Sequence, residues 1–113
     1  MAAQGGDARR ADDVSSPDSA DIRLSKDEAA GRYEIRLGGR RVGLADYYRR
    51  GDVVVIPHTE TLPQFGGRGL ASQLVRYCLD DIRAQGLWVE PACPFVAAYI
   101  RKNPEYADLL DGA

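Results

Sequence analysis

The chain has 113 residues and a formal net charge of −2. That is the length of one domain, and it is too close to neutral for a dedicated nucleic-acid binder, which carries a basic domain. Two cysteines and one histidine give neither a disulfide framework nor a zinc pattern, so no metal is expected. No long apolar run offers a membrane span or a signal-peptide core, and Asp7, Asp12, Asp13 and Asp18 dilute Arg9 and Arg10 where a mitochondrial leader would be acid-poor. The expectation is a cytoplasmic protein without membrane or nucleic-acid partners, monomeric or weakly dimeric.

Residues 1–20 are rich in Ala, Gly, Asp and Ser and contain no aromatic residue. They are expected to form a disordered N-terminal tail ahead of a folded domain over 21–113. Ile22–Leu24 suggests a short first strand. Arg32–Leu37 alternates, with Tyr33, Ile35 and Leu37 on one face. Gly38-Gly39 then signals a hairpin, and Val42 and Leu44 continue the alternation through Tyr48. Val53–Ile56 is continuously apolar and β-branched, as in a strand buried on both faces. Three antiparallel strands are therefore expected before the glycine loop.

The segment Gln64-Phe-Gly-Gly-Arg-Gly-Leu-Ala-Ser72 follows, and an amphipathic helix opens within it. Leu70, Ala71, Leu74, Val75, Cys78, Leu79 and Ile82 form its apolar stripe over about 68–85, and Gly86 stands where a C-terminal cap belongs. Leu87–Glu90 is read as a strand, parallel to Val53–Ile56 across the helix. Pro94 opens a second helix, broken at Asn103-Pro104. The fold class is α/β, with antiparallel N-terminal strands, a βαβ unit and a C-terminal helix.

A glycine turn that opens a helix leaves backbone N–H groups unpaired at the positive end of the helix dipole, a setting for phosphate. Gly67 and Gly69 carry no Cβ, so an anion can approach the backbone. A Walker loop would need a lysine that is missing, and a dinucleotide fingerprint would need Gly or Ala where Ser72 stands. The spacing that fits is Gln64-x-x-Gly67-x-Gly69.

This spacing resembles the coenzyme A pyrophosphate loop of the GNAT acetyltransferase superfamily. Further segments narrow the resemblance: His58-Thr59-Glu60, Gly67-Arg68-Gly69, Trp88 to Val96 with Cys93-Pro94-Phe95 inside it, Tyr99-Ile100 and Asn103-Pro104-Glu105-Tyr106. In this order they resemble the small single-domain GNAT-like acetyltransferases of the YjdJ type, over about residues 33–110. Thr61 and Leu62 depart from the valine and proline usual after the triplet. The resemblance implies a GNAT-like mixed sheet. It also implies acetyl transfer from acetyl-CoA, as co-substrate, to an unidentified amine. A domain that binds CoA or acyl-CoA without catalysis is the alternative. Gln64, Gly67, Arg68, Gly69, Leu70, Ala71 and Ser72, with Thr61 and Leu62 upstream, are the implied cofactor contacts.

Four residues are candidates for the chemistry. The resemblance implies Glu60 as a general base on the central strand. His58, two residues away, shares a strand face with it and titrates near neutral pH. Cys93 directly precedes Pro94, so it stands as the N-cap of a helix whose dipole favours a thiolate. It is read as a nucleophile, a pocket wall or a buried small residue. The resemblance also offers Tyr99 as the acid that protonates the departing CoA thiolate.

Overall fold

Hydrophobic alternation and glycine turns lay down a single five-stranded sheet in chain order. The computed structural model describes residues 21–110; the tail expected over 1–20 lies outside them. The strands are β1 (Ile22–Asp27), β2 (Arg32–Leu37), β3 (Arg40–Arg50), β4 (Val53–Thr61) and β5 (Trp88–Glu90). Strands β1 to β4 are antiparallel neighbours, and β5 runs parallel to β4. Helix α1 (Leu70–Ala84) makes the β4–β5 crossover, and helix α2 (Pro94–Lys102) follows β5. A 3-10 segment, Pro104–Leu109, closes the described chain.

Four antiparallel strands precede the glycine turn, not three. The first is six residues long because Ser25, Lys26 and Asp27 pair with Glu34, Tyr33 and Arg32. Polar side chains are tolerated there, since β1 alternates between half-buried and exposed positions. Strand β4 also runs past Ile56, to Thr61.

One apolar layer lies between the sheet and the helices. Tyr33, Ile35, Val54 and Ile56 from the sheet meet Leu74, Val75, Cys78, Leu79 and Ile82 of α1, with Val96 and Ile100 of α2. Gly43 is required here. A Cβ at this position would lie 2.9 Å from Ile35 Cγ2, 3.0 Å from the Glu60 carbonyl oxygen and 3.0 Å from Thr61 Cγ2. Gly86, with φ +71°, ends α1. Its N–H bonds to the Arg83 carbonyl and the Leu87 N–H to that of Ile82, the paired bonds of a Schellman cap.

Polar ties fix the outer face of α1. Asp81 accepts from Lys26 Nζ at 2.9 Å, the Tyr33 hydroxyl at 2.7 Å and Gln85 Nε2 at 2.8 Å. The Tyr106 hydroxyl donates to Asp80 at 2.6 Å, and Arg83 pairs with Asp108 at 2.8 Å.

The faces of β4 change partway along it. Tyr48 pairs with Val55, but Asp46 pairs with His58. Two residues, Ile56 and Pro57, therefore stand opposite Tyr47 alone, which is a β-bulge on β4. Pro57 supplies no N–H to the ladder, which is why the extra residue falls there. Before the bulge, Val54 and Ile56 point at the helices. After it the alternation is reset: Thr59 and Thr61 take the helix side, and His58 and Glu60 face outward with Asp46 and Leu44.

The outer face carries one buried carboxylate. Glu34, 6% exposed, is covered by arginines rather than by apolar core. It accepts from Arg36 at 2.6 Å and Arg41 at 3.2 Å. Burial pushes its pKa up, but the hydrogen bonds and charges of Arg36 and Arg41 win and hold it below the usual carboxylate range. A lowered folded pKa stabilises the protein at pH above the unfolded carboxylate value, about 4.3, and that contribution is lost as pH falls through the folded value. Glu34→Gln is expected to cost about 1–2 kcal/mol at pH 7, a figure discounted for the solvated arginines, and to flatten the acid limb of stability. Urea unfolding at pH 7 and pH 3 measures both effects.

Candidate active site

The glycine turn is built as a cradle. Gly67 and Gly69 adopt φ +80° and +76°, the left-handed region that favours glycine. A Cβ on either would meet nothing within 4 Å, so the space above them is open. Gly69 is the N-cap of α1, and the helical ladder begins with the Gln73 N–H to the Gly69 carbonyl at 3.1 Å. The N–H groups of Leu70, Ala71 and Ser72 lie ahead of that first bond, and no acidic residue sits in the first turn. They line a groove of roughly 230 Å³ with Gly67, Gly69, Thr61 and two phenylalanines, Phe65 and Phe95.

Cations flank the groove. The Arg68 guanidinium lies 5.2 Å from the centre of the Phe65 ring and that of Arg40 lies 5.7 Å away. Thr61 lines the groove. Leu62 does not, and its N–H donates to the Val42 carbonyl at 2.8 Å. Gln64 is exposed within the 3-10 turn Pro63–Phe65 and is not among the groove's walls.

Beyond the groove, β4 and β5 part. Their pairing covers Val53–Val55 against Trp88–Glu90. The last tie is the Cys93 N–H, which donates to the Ile56 carbonyl at 2.9 Å. Cys93 is the N-cap of α2 in extended conformation, with Pro94 following. It is 6% exposed, and its Sγ is 3.4 Å from Thr59 Oγ1. Burial pushes the Cys93 thiol up. The Thr59 hydroxyl and the amides of Val96, Phe95 and Thr59 outweigh it, and the pKa falls below the ordinary thiol value. Cys78, inside the α1 stripe, is driven the other way by burial and by the charge of Asp81.

On the opposite face of β4, His58 Nε2 and Glu60 Oε1 are 2.8 Å apart, and both side chains are more than half exposed. The hydrogen bond to Glu60 raises the His58 pKa, desolvation opposes it, and the charges of Glu60, Asp46 and Cys93 act in the same direction as the hydrogen bond. The gap between β4 and β5 thus has a thiol on its helix side and a histidine–carboxylate pair on its outer side.

Tyr99 lies on α2, one helical turn or more beyond the Cys93 cap. Its ring packs 6.1 Å from that of Tyr106, and burial, helped by the charges of Glu105 and Asp80, raises its pKa against the opposing charge of Arg76. Four contributors were missed in the sequence: Thr59, Phe65, Phe95 and Arg40. Thr59 stood in plain view between His58 and Glu60, and strand alternation put it on the opposite side. Arg40 is brought to the loop by the fold alone.

Residues 32–109 match the family model described as GCN5-related N-acetyl-transferase. The chain belongs to that family. No curated protein matches it. Among solved structures it is similar to a GCN5-like protein from Staphylococcus aureus determined by NMR, with 18% identity and a TM-score of 0.63, covering 80% of this chain and 89% of that one. It is also similar to the ribosomal-protein-S18-alanine N-acetyltransferase of Escherichia coli, with 15% identity and a TM-score of 0.54, over 68% of this chain and 53% of that one. The IAA acetyltransferase of Bacillus cereus aligns at 18% identity and a TM-score of 0.50, over 63% and 51%. The chain therefore spans about half the length of these two enzymes. At such identities the likeness establishes the shared fold, a mixed α/β sheet. Among the described residues, no helix is long and apolar enough to cross a membrane, and no three His, Cys, Asp or Glu side chains are grouped to hold a metal.

The two thiols are expected to differ in reactivity. Iodoacetamide should label Cys93 well before Cys78 in the folded protein. Thr59→Val, by removing the hydroxyl, should slow Cys93 alkylation several-fold at neutral pH. Peptide mapping over a time course reads both rates.

Proposed function

We propose that the chain transfers the acetyl group of acetyl-CoA to an amine, as a small acetyltransferase of the YjdJ type. The observation that carries this reading is the continuity of the site. A phosphate-sized cradle at the α1 N-terminus leads to a gap between two strands, and that gap opens beside a basic imidazole. Acetyl-CoA supplies the activated thioester. Gly67 through Ser72 would hold its pyrophosphate through backbone N–H groups, with Arg68 and Arg40 adding charge. A reducing compartment such as the cytoplasm suits a site that keeps Cys93 as a free thiol.

His58 is the better base, and Glu60 its partner. An ordinary carboxylate is far too weak a base for an ammonium proton. In the neutral imidazole whose Nε2–H donates to Glu60, Nδ1 is left with its lone pair to accept the proton. Glu60 then fixes the tautomer and stabilises the imidazolium. The amine, once deprotonated, attacks the thioester carbonyl, and the CoA thiolate departs.

A second reading is favoured by the lowered pKa of Cys93. Its thiolate would attack the thioester carbonyl and release the CoA thiolate, and the amine would then attack the acetyl-cysteine and restore the Cys93 thiolate. Brief incubation with acetyl-CoA followed by mass spectrometry distinguishes the routes. An acetyl group on Cys93 that passes to amine supports the covalent one, and full activity in Cys93→Ala eliminates it.

Two measurements test the main proposal. Ser72→Glu should weaken CoA binding by at least about tenfold in calorimetric titration. A carboxylate in the first helical turn repels pyrophosphate while favouring the helix itself, so thermal stability should hold or rise. This variant is cleaner than a replacement at Gly69, where the left-handed φ would add backbone strain.

The second is the pH–rate profile. Because the free imidazole is the active form, kcat/KM should climb as pH rises through the raised His58 pKa. Glu60→Gln should lower kcat by about 10- to 100-fold and move that limb down toward 6.5. CoA binding without transfer to any of a broad amine panel would instead establish the non-catalytic CoA-binding alternative.

A further inference from the structure

The outer face of the sheet, which His58 and Glu60 share, has a polarity that the proposed reaction does not use. Cross-strand partners place its residues in rows. Ser25, Glu34, Leu44 and Glu60 form one row across β1 to β4. On one side of it run Asp27, Arg32, Asp46 and His58; on the other run Arg23, Arg36 and Arg41. Glu60 therefore stands between an imidazole–carboxylate region and a row of three arginines.

The arginine row is more positive than its ion pairs suggest. Glu34 is the carboxylate that Arg36 and Arg41 reach, at 2.6 and 3.2 Å. Arg32 approaches the same group only to 3.9 Å, through an Nε that is buried and has no hydrogen-bond partner. One carboxylate thus serves two guanidinium groups of that row, Arg36 and Arg41, each with five donors in a fixed fork. Arg41 also lines a pocket of roughly 60 Å³ together with Leu44, Glu60 and Leu62. That volume suits a carboxylate or a phosphate, not a whole metabolite; one water occupies about 30 Å³ of liquid.

We propose that this face selects an acceptor amine that also bears an anionic group, bound by Arg41 and Arg36 while the amine lies at His58 and Glu60. The proposal rests on the acetyl-transfer reading of the site. Arg41 stands one strand across and one row along from Glu60, a backbone diagonal of roughly 8 Å, and the side chains of both line the same small pocket. That is the span of a short ω-amino acid or an aminoalkyl phosphate. Glu34 holds the two guanidinium groups in place, so little conformational freedom is lost on binding.

Initial rates with acetyl-CoA test it, using 4-aminobutyrate, its neutral amide and 3-aminopropyl phosphate as acceptors. The anionic amines should exceed the amide in kcat/KM by at least about tenfold at low salt, the worth of one charge-assisted contact. The advantage should shrink as ionic strength rises. In Arg36→Gln/Arg41→Gln the ratio of anionic to neutral acceptor should fall toward one. Whichever of 4-aminobutyrate and aminopropyl phosphate leads identifies the anion as carboxylate or phosphate. A ratio near one in the unsubstituted protein, with transfer intact, overturns the proposal and leaves the acetyltransferase reading standing.

A second measurement needs neither turnover nor a variant. With CoA present, the arginine Nε–Hε NMR signals are followed during titration with 4-aminobutyrate and with inorganic phosphate. Arg36 and Arg41 should shift and saturate, while Arg101 of α2 should not. If they shift although no amine is acetylated, the anion site stands and the transfer reading falls. If they stay still, or Arg101 moves equally, the anion site is refuted.

Discussion

A single extra residue in β4 governs the site. The β-bulge at Ile56-Pro57 sits where proline has no N–H to give, and it inverts the side-chain alternation of everything after it. Without it, His58 and Glu60 would continue the inward series of Val54 and Ile56 and be driven into the apolar layer. An unpaired carboxylate there would cost several kcal/mol or lose its charge. With it, the polar pair faces water and Thr59 turns inward to meet Cys93. The parallel pairing of β5 stops at the same level, with the Ile56 carbonyl taking the Cys93 N–H. Two faces of one strand thereby border one opening.

The cradle depends on the same strand in another way. The chain leaves β4 at Thr61 and must reverse into α1 within a few residues. The 3-10 turn and the left-handed Gly67 and Gly69 achieve the reversal. Phe65 and Phe95 wall the groove from opposite ends of the βαβ unit, so groove width is set by the packing of α1 and α2 against the sheet. The core therefore shapes the groove mainly through position.

Much of this was legible in sequence because it is local. The α1 stripe from Leu70 to Ile82, the Gly86 cap, the Pro94 start and the Gln64-x-x-Gly67-x-Gly69 spacing each depend on residues within a few turns of one another. So does the shared face of His58 and Glu60. The length of β1 was harder to see, because half of its residues face water and carry no pattern beyond Ile22 and Leu24. The place of Tyr99 on α2 was legible, but its ring contact with Tyr106 joins two segments that no spacing links. Arg40 and Phe95 reach the groove only through contacts between segments distant in sequence, which no period or spacing encodes. The arginine row depends on cross-strand register, and a register shift between Ile35 and Arg36 sets it.

The short bridge between Val89 and Leu110 has a bearing on solubility. Strand β5 ends the sheet, and a terminal strand offers a line of unpaired amides and carbonyls to any extended peptide that drifts past. Leu110 lies along that line, carried there by the 3-10 segment that Arg83 clamps through Asp108 and the Glu105 carbonyl. The clamp therefore keeps part of that border occupied from within the domain.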